Sequence, residues 1–123
     1  MADGSGHGMA SIAKALPQSD GFGVATLGEA LSLRAAGITQ KIVILEGALS
    51  LEELKQASKS NVDVVVHQLE QVAYIEQAGV PVSLDVWLKV DTGMHRLGVD
   101  PSEALGVYRR LVACEGIRSI TLM

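Results

Sequence analysis

Short β-branched runs alternate with longer amphipathic stretches along most of this chain. The runs are FGVAT (22–26), KIVIL (41–45), VDVVV (62–66), LDVWLKV (84–90) and IRSITLM (117–123). Their lengths and Val/Ile content predict strands buried on at least one face. Helix starts are readable between them. Thr26 with Glu29, and Ser50 with Glu53, have the spacing of a capping box, and Asp100-Pro101 followed by Glu103 marks a third N-terminus. Gly37 and Gly79 stand where two helices should stop. Ala30, Leu31, Leu33 and Ala35 supply apolar surface to one helix, and Leu69, Val72, Ala73, Ile75 and Glu76 run at helical spacing in another. One more helix is expected over 9–16. The predicted order is βαβαβαβαβ, an α/β chain with a parallel sheet and helical crossovers.

Two architectures fit that order, an open doubly wound sheet and a (β/α)8 barrel. A dinucleotide-binding sheet wants G-x-G-x-x-G between a strand and its helix. Gly4, Gly6 and Gly8 give only G-x-G-x-G, with no strand before them. The strand ends favour the barrel. Thr26, Glu46, His67 and the Lys89–Asp91 pair all fall at or just past the C-terminal ends of successive strands, the rim where barrel enzymes place their chemistry. Each also has a plainer use: Thr26 as a helix cap, Glu46 as a loop acid before a glycine, His67 as the polar end of a buried run.

Composition narrows the setting. At 123 residues, with 48% apolar and 20% charged, the chain is one domain at most and can build a core. Aromatics are only 3%, so that core comes from Val, Ile, Leu and Ala. The net charge is −4 and no basic cluster stands out, which argues against a nucleic-acid partner. Cys114 is alone, so no disulfide framework is expected, and it reads as a small buried residue near a helix end. The first residues are polar and glycine-rich, unlike a signal peptide, and no apolar run approaches the ~20 residues that span a bilayer. A cytoplasmic protein without membrane partners is expected.

The stretch KVDTGMHRLG (89–98) raises a sharper question. Along LDVWLKVD the side chains alternate, so Leu84, Val86, Leu88 and Val90 share one face and Asp85, Trp87, Lys89 and Asp91 the other. The apolar set should pack on helices, which turns the mixed set inward. A lysine there needs a carboxylate partner, a chemical modification or a lowered pKa, because an unpaired buried charge costs several kcal/mol. Arg96 follows, with a guanidinium suited to orienting an anionic ligand oxygen. The competing reading is a structural Lys89–Asp91 pair with a solvated Arg96.

WLKVDTGMHRLG (87–98) resembles the signature around the fifth barrel strand of bacterial alanine racemases. DGFGVATLGEALSLRAAGI (20–38) resembles the second βα unit of that family, and ITQKIVILEG (38–47) its third strand and loop. VVVHQLEQ (64–71) and ITLM (120–123) fit the fourth and sixth strands, so the likeness runs from Gly6 to Met123. It implies a fold-type III enzyme whose barrel holds pyridoxal 5′-phosphate as an electron sink. It further implies a homodimer in which the partner's C-terminal β-domain completes each site. A lysine and a tyrosine on opposite faces then invert L- and D-alanine, supplying D-alanine for cell-wall precursors. By position, Arg96 is implied to hydrogen-bond the cofactor's phenolic oxygen near the substrate. Lys89 is implied to be a lysine that the family can carry as a carbamate, and Leu45 to line the cofactor pocket.

The chain departs from the family at its start. The family motif KANAYGHG carries the Schiff-base lysine and a phosphate-contacting tyrosine, whereas this chain reads MADGSGHG. Aligned on Gly6–Gly8, Met1 takes the lysine position and Ser5 the tyrosine position. Lys14, Lys41, Lys55 and Lys59 are expected in helical or surface contexts. Residues 1–123 are therefore expected to be a partial barrel domain of about five parallel strands, lacking the first strand, the later strands and both catalytic bases. No catalytic residue and no metal site is assigned. Such a chain is expected to be inactive alone and to self-associate, with a non-catalytic cofactor binder or an interaction module as the alternatives.

Overall fold

The computed structural model describes residues 21–78, 83–91 and 98–123. Within them the strands are β1 (Gly21–Val24), β2 (Lys41–Ile44), β3 (Asp63–Val66), β4 (Leu84–Leu88) and β5 (Ile117–Leu122). The helices are α1 (Leu27–Ala35), α2 (Leu51–Lys59), α3 (Leu69–Ala78) and α4 (Pro101–Val112). The helix expected over 9–16 and the stop at Gly79 lie outside the described residues.

All four strand pairings are parallel, and the sheet order is β1-β2-β3-β4-β5. That order decides between the two architectures. Right-handed crossovers that always step the same way put every helix on one face, and a doubly wound sheet needs a reversal that is absent here. The sheet is a segment of a (β/α) barrel, with one face against the helices and the other facing the lumen. Val24, Ile42, Ile44, Val64, Val66, Leu84, Val86 and Leu88 fill the helix-facing core with Leu33, Leu54, Val72, Ile75, Val107 and Leu111.

The helix ends follow from local chemistry. Thr26 Oγ1 accepts from Glu29 N–H while the Glu29 carboxylate accepts from Thr26 N–H, a complete capping box. At α2 the box is displaced: Ser50 accepts from Glu53 N–H, but the Glu53 carboxylate takes Leu49 N–H instead. Asp100 caps α4 through Ser102 N–H, with proline in the first turn. Gly37, at φ 91°, closes α1 as a Schellman motif, its N–H bonding Arg34 O and the Ile38 N–H bonding Leu33 O. Asn61, at φ 55°, closes α2 the same way. Arg34 then donates to Ile38 O, Gln40 O, Ser60 O and Asn61 O, satisfying carbonyls at both helix ends with one guanidinium.

Three apolar assignments change. Ala35 is exposed, and Leu69 (43% exposed) and Glu76 lie off the buried face of α3, where Gln71, Val72, Ile75 and Ala78 are buried instead. Glu76 pairs with Arg110 of α4 across the helix–helix seam. Cys114 is half-buried, and burial pushes its thiol pKa up, with the Glu76 charge adding to that.

Candidate functional site

Alternation along the strands places Lys41, Val43 and Leu45, then Asp63, Val65 and His67, then Asp85, Trp87 and Lys89 on the lumen face. Contacts bear this out near the N-terminal ends. Lys41 Nζ lies 2.9 Å from both Asp63 Oδ2 and Asp85 Oδ2. Trp87 Nε1 donates to Asp63 Oδ2 at 3.0 Å, and Ser119 Oγ donates to Asp85 Oδ1 at 2.8 Å. Arg118 adds a looser ion pair to Asp85. Asp63 is only 2% exposed, and two donors converge on its carboxylate. Hydrogen bonds donated to Asp85 and Asp63 raise the Lys41 pKa. Burial of Asp85 acts to raise its pKa, but donation from Lys41 and Ser119 outweighs it and holds the carboxyl below its ordinary value.

Lys41 is exposed, as expected of a surface lysine, but it is not idle. It starts β2, faces the lumen and is held by two carboxylates. The strand's own acid, Asp85, engages Lys41 rather than Lys89. Beside this network lies a concavity of about 270 Å³ lined by Gly21, Phe22, Gly23, Lys41, Val43 and Trp87. It exists because β1 presents glycines where other strands present side chains.

The C-terminal rim is built differently. Leu45 follows β2 on the lumen face, 43% exposed, and packs toward Gly23 of β1. Lys89 follows β4 and continues the ladder through its N–H to Val66 O at 2.9 Å. Its side chain is half-buried, and among the described residues no hydrogen bond or ion pair reaches its ammonium. Leu45 and Lys89 stand two strands apart, roughly 10 Å by ordinary strand spacing. Beyond Lys89 the chain makes a neck. Asp91 N–H bonds Val99 O, Val99 N–H bonds Lys89 O, and Val90 and Val99 form a parallel bridge. Arg96 belongs to 92–97, outside the described residues, but both ends of that segment are fixed at this one place.

Between the two lies His67, 6% exposed. Its Nε2 is 2.7 Å from Glu46 O, and Gln71 Nε2 donates to the same carbonyl at 3.0 Å. Gln71 Oε1 accepts from His67 N–H and Gln68 N–H, which caps α3. Gly47, at φ 75°, lies flush against β3, where a Cβ would strike Val65 O and the Gln71 amide. Of the rim residues read from sequence, Thr26 serves as a cap and Glu46 is exposed, with its carbonyl rather than its carboxylate engaged. Sequence reasoning missed Gln71 and Asp63. Asp63 had a signal, a lone acid at the head of a β-branched run, although its register partner on β2 is Val43 and not Lys41. Among the described residues no cluster of acids, histidines and cysteines is placed to hold a metal, and no helix is long and apolar enough to cross a membrane.

A one-directional parallel sheet with helices on one face and a polar lumen face defines a segment of a (β/α)8 barrel. Residues 2–123 match the family described as alanine racemase, N-terminal domain, and the chain belongs to that family. It is 47% identical over 116 residues to the alanine racemase of Edwardsiella ictaluri, covering 94% of this chain and 32% of that protein. It is 45% identical over 117 residues to the biosynthetic alanine racemase of Escherichia coli, covering 95% and 33%. Among solved structures, the biosynthetic alanine racemase of Pseudomonas aeruginosa superposes with a TM-score of 0.88 at 39% identity, over 95% of this chain and 33% of that one. The chain thus spans about a third of the length of the relatives it matches.

Proposed function

We propose that this chain is the part of a pyridoxal-phosphate-dependent alanine racemase that forms one side of the cofactor pocket. The observation that carries the reading is the open lumen-side rim, where exposed Leu45 and half-buried Lys89 face the space above a saturated polar layer. These residues fit one side of a planar aromatic cofactor: Leu45 offers apolar contact to its ring, and Lys89 stands on the same face of the sheet. Bound pyridoxal phosphate supplies an electron sink for the pair left when the Cα–H bond of alanine breaks. Arg96 is assigned to donate to the ring's phenolic oxygen and to lie near the substrate. Lys89, carried as a carbamate, is assigned to accept from Arg96 and fix its plane, and Leu45 to exclude water from the ring.

No catalytic residue is assigned within this chain. On the alignment at Gly6–Gly8, the position of the family's Schiff-base lysine is assigned to Met1, whose side chain has no amine, and residues 1–123 by themselves are proposed not to form the Schiff base. In the whole enzyme the substrate is alanine, the product feeds cell-wall precursor synthesis in the cytoplasm, and the assembly is a homodimer. The chain alone is proposed to self-associate, since β5 leaves Leu122 and Met123 exposed at a sheet edge.

The test is a titration with pyridoxine 5′-phosphate, which lacks the aldehyde and so cannot react with surface lysines. Trp87, the single tryptophan, reports binding on the lumen face through its fluorescence. Arg96→Ala should weaken binding by about 1–3 kcal/mol, the scale of one charge-assisted hydrogen bond. Arg109→Ala should change it little. Equal losses from both would mean diffuse electrostatics and defeat the reading. Separately, borohydride reduction with pyridoxal phosphate should leave no lysine stoichiometrically pyridoxylated, and a single fully modified lysine would show a relocated base.

A further inference from the structure

We infer that His67 is a positioning residue: as the neutral Nε2–H tautomer it fixes the β2 rim and so sets where Leu45 stands. The tautomer follows from chemistry. Two contacts compete at Nε2: Glu46 O, which only accepts, at 2.7 Å, and the Gln71 amide nitrogen, which only donates, at 3.3 Å. The shorter contact assigns the proton to Nε2, with the Gln71 amide donating to Glu46 O instead. In the neutral ring Nδ1 is then a bare acceptor, and it is buried with no hydrogen-bond partner among the described residues. A buried acceptor without a donor is costly and calls for a reason.

The reason lies at Glu46 O. That carbonyl has two lone pairs, and the Gln71 amide and the His67 ring supply the two donors. Gly47 makes this possible, because only a residue without Cβ lets the rim lie against Val65 O and the Gln71 amide. On its other side the rim is tied to β1, by Leu45 N–H to Val24 O at 2.7 Å and Glu46 N–H to Ala25 O at 3.3 Å. The Leu45 backbone is thus held from both flanking strands while its side chain stays open. This deepens the cofactor reading, on which it rests for the use made of Leu45.

Three measurements on the full chain test it without any cofactor, so their failure is distinct from failure of the titration above. Imidazole nitrogen–proton correlation spectra should show His67 locked with its proton on Nε2, the resonance being assigned by its loss in His67→Gln. Hydrogen exchange at the Glu46 and Gly47 amides should quicken about five- to tenfold in His67→Asn, whose amide reaches only the Nδ1 position, the scale of one net hydrogen bond. His67→Gln, whose amide reaches the Nε2 position, should restore slow exchange. Amides of α4, remote from the rim, serve as the control for general loss of stability. An Nδ1–H tautomer, equal acceleration at rim and α4, or a Gln variant no better than Asn would each overturn the inference. If the Asn variant does not fold, the wild-type tautomer still decides the matter.

Discussion

At the N-terminal ends of the strands, Lys41, Asp63, Asp85, Trp87 and Ser119 hydrogen-bond one another. At the C-terminal ends of the same face, Leu45 stands open and Lys89 has no ion pair among the described residues. One sheet therefore carries two regimes a few residues apart. In the lower layer the polar groups are engaged chiefly with one another. The rim keeps side chains unsatisfied, and in barrel proteins that is the end that binds and reacts.

Substitutions should separate the regimes by size of effect. Gly47→Ala should be the most damaging, because its Cβ would meet the Val65 carbonyl at a positive φ. A loss of about 3 kcal/mol or more in urea unfolding is expected, and a loss below half of that would mean the rim can shift aside. Asp63→Ala should cost roughly 1–2 kcal/mol, since it takes the acceptor from the half-buried Trp87 N–H. It should also red-shift the Trp87 emission as water reaches the ring.

Lys41→Met tests the lower layer through pH. A raised lysine pKa means stability that is complete below the ordinary lysine value and is lost as pH rises through the folded value. A lowered aspartate pKa means stability that is complete above the ordinary aspartate value and is lost as pH falls through the folded value. The wild type should therefore be flat between those limits and decline at both ends. Lys41→Met should shrink the alkaline decline, leaving the part that the raised pKa values of Tyr74 and Cys114 carry, and move the acid decline up toward the ordinary aspartate range. Lys41 is 45% exposed in its side chain, so the change at neutral pH should stay within about 1 kcal/mol. An unchanged alkaline limb would remove Lys41 from the network.

Leu45→Ala should do least to stability, within about 0.5 kcal/mol, because the side chain is already largely open. If it instead costs as much as a core truncation, Leu45 belongs to the packed layer and the contrast between the two ends weakens.

The barrel segment was legible because each helix start is set by residues next to one another in sequence. Thr26, Asp100 and Gly37 perform in the structure the capping and stopping their positions predict. The start of α3 was harder to read, since its cap is the amide of Gln71, a residue with no strong capping preference that also braces a different strand. The two carboxylates that hold Lys41 were not legible for a related reason. Periodicity gives the face of each strand, but which residues meet across β2, β3 and β4 depends on register, and register is not written in any one strand. The alternation that turned Trp87 inward was right, while Asp85 found its cation two strands away.

The sheet order also bears on how the chain acquires its fold. Each strand pairs only with the strands just before and after it in sequence, so the structure is laid down in the order the ribosome delivers it. A nascent βα unit can dock on the one already made without waiting for a distant segment, which keeps loop-closure entropy low and favours rapid, stepwise assembly. Arg34 ties the ends of α1 and α2 as soon as Asn61 has emerged, making the first two repeats a natural nucleus for the rest.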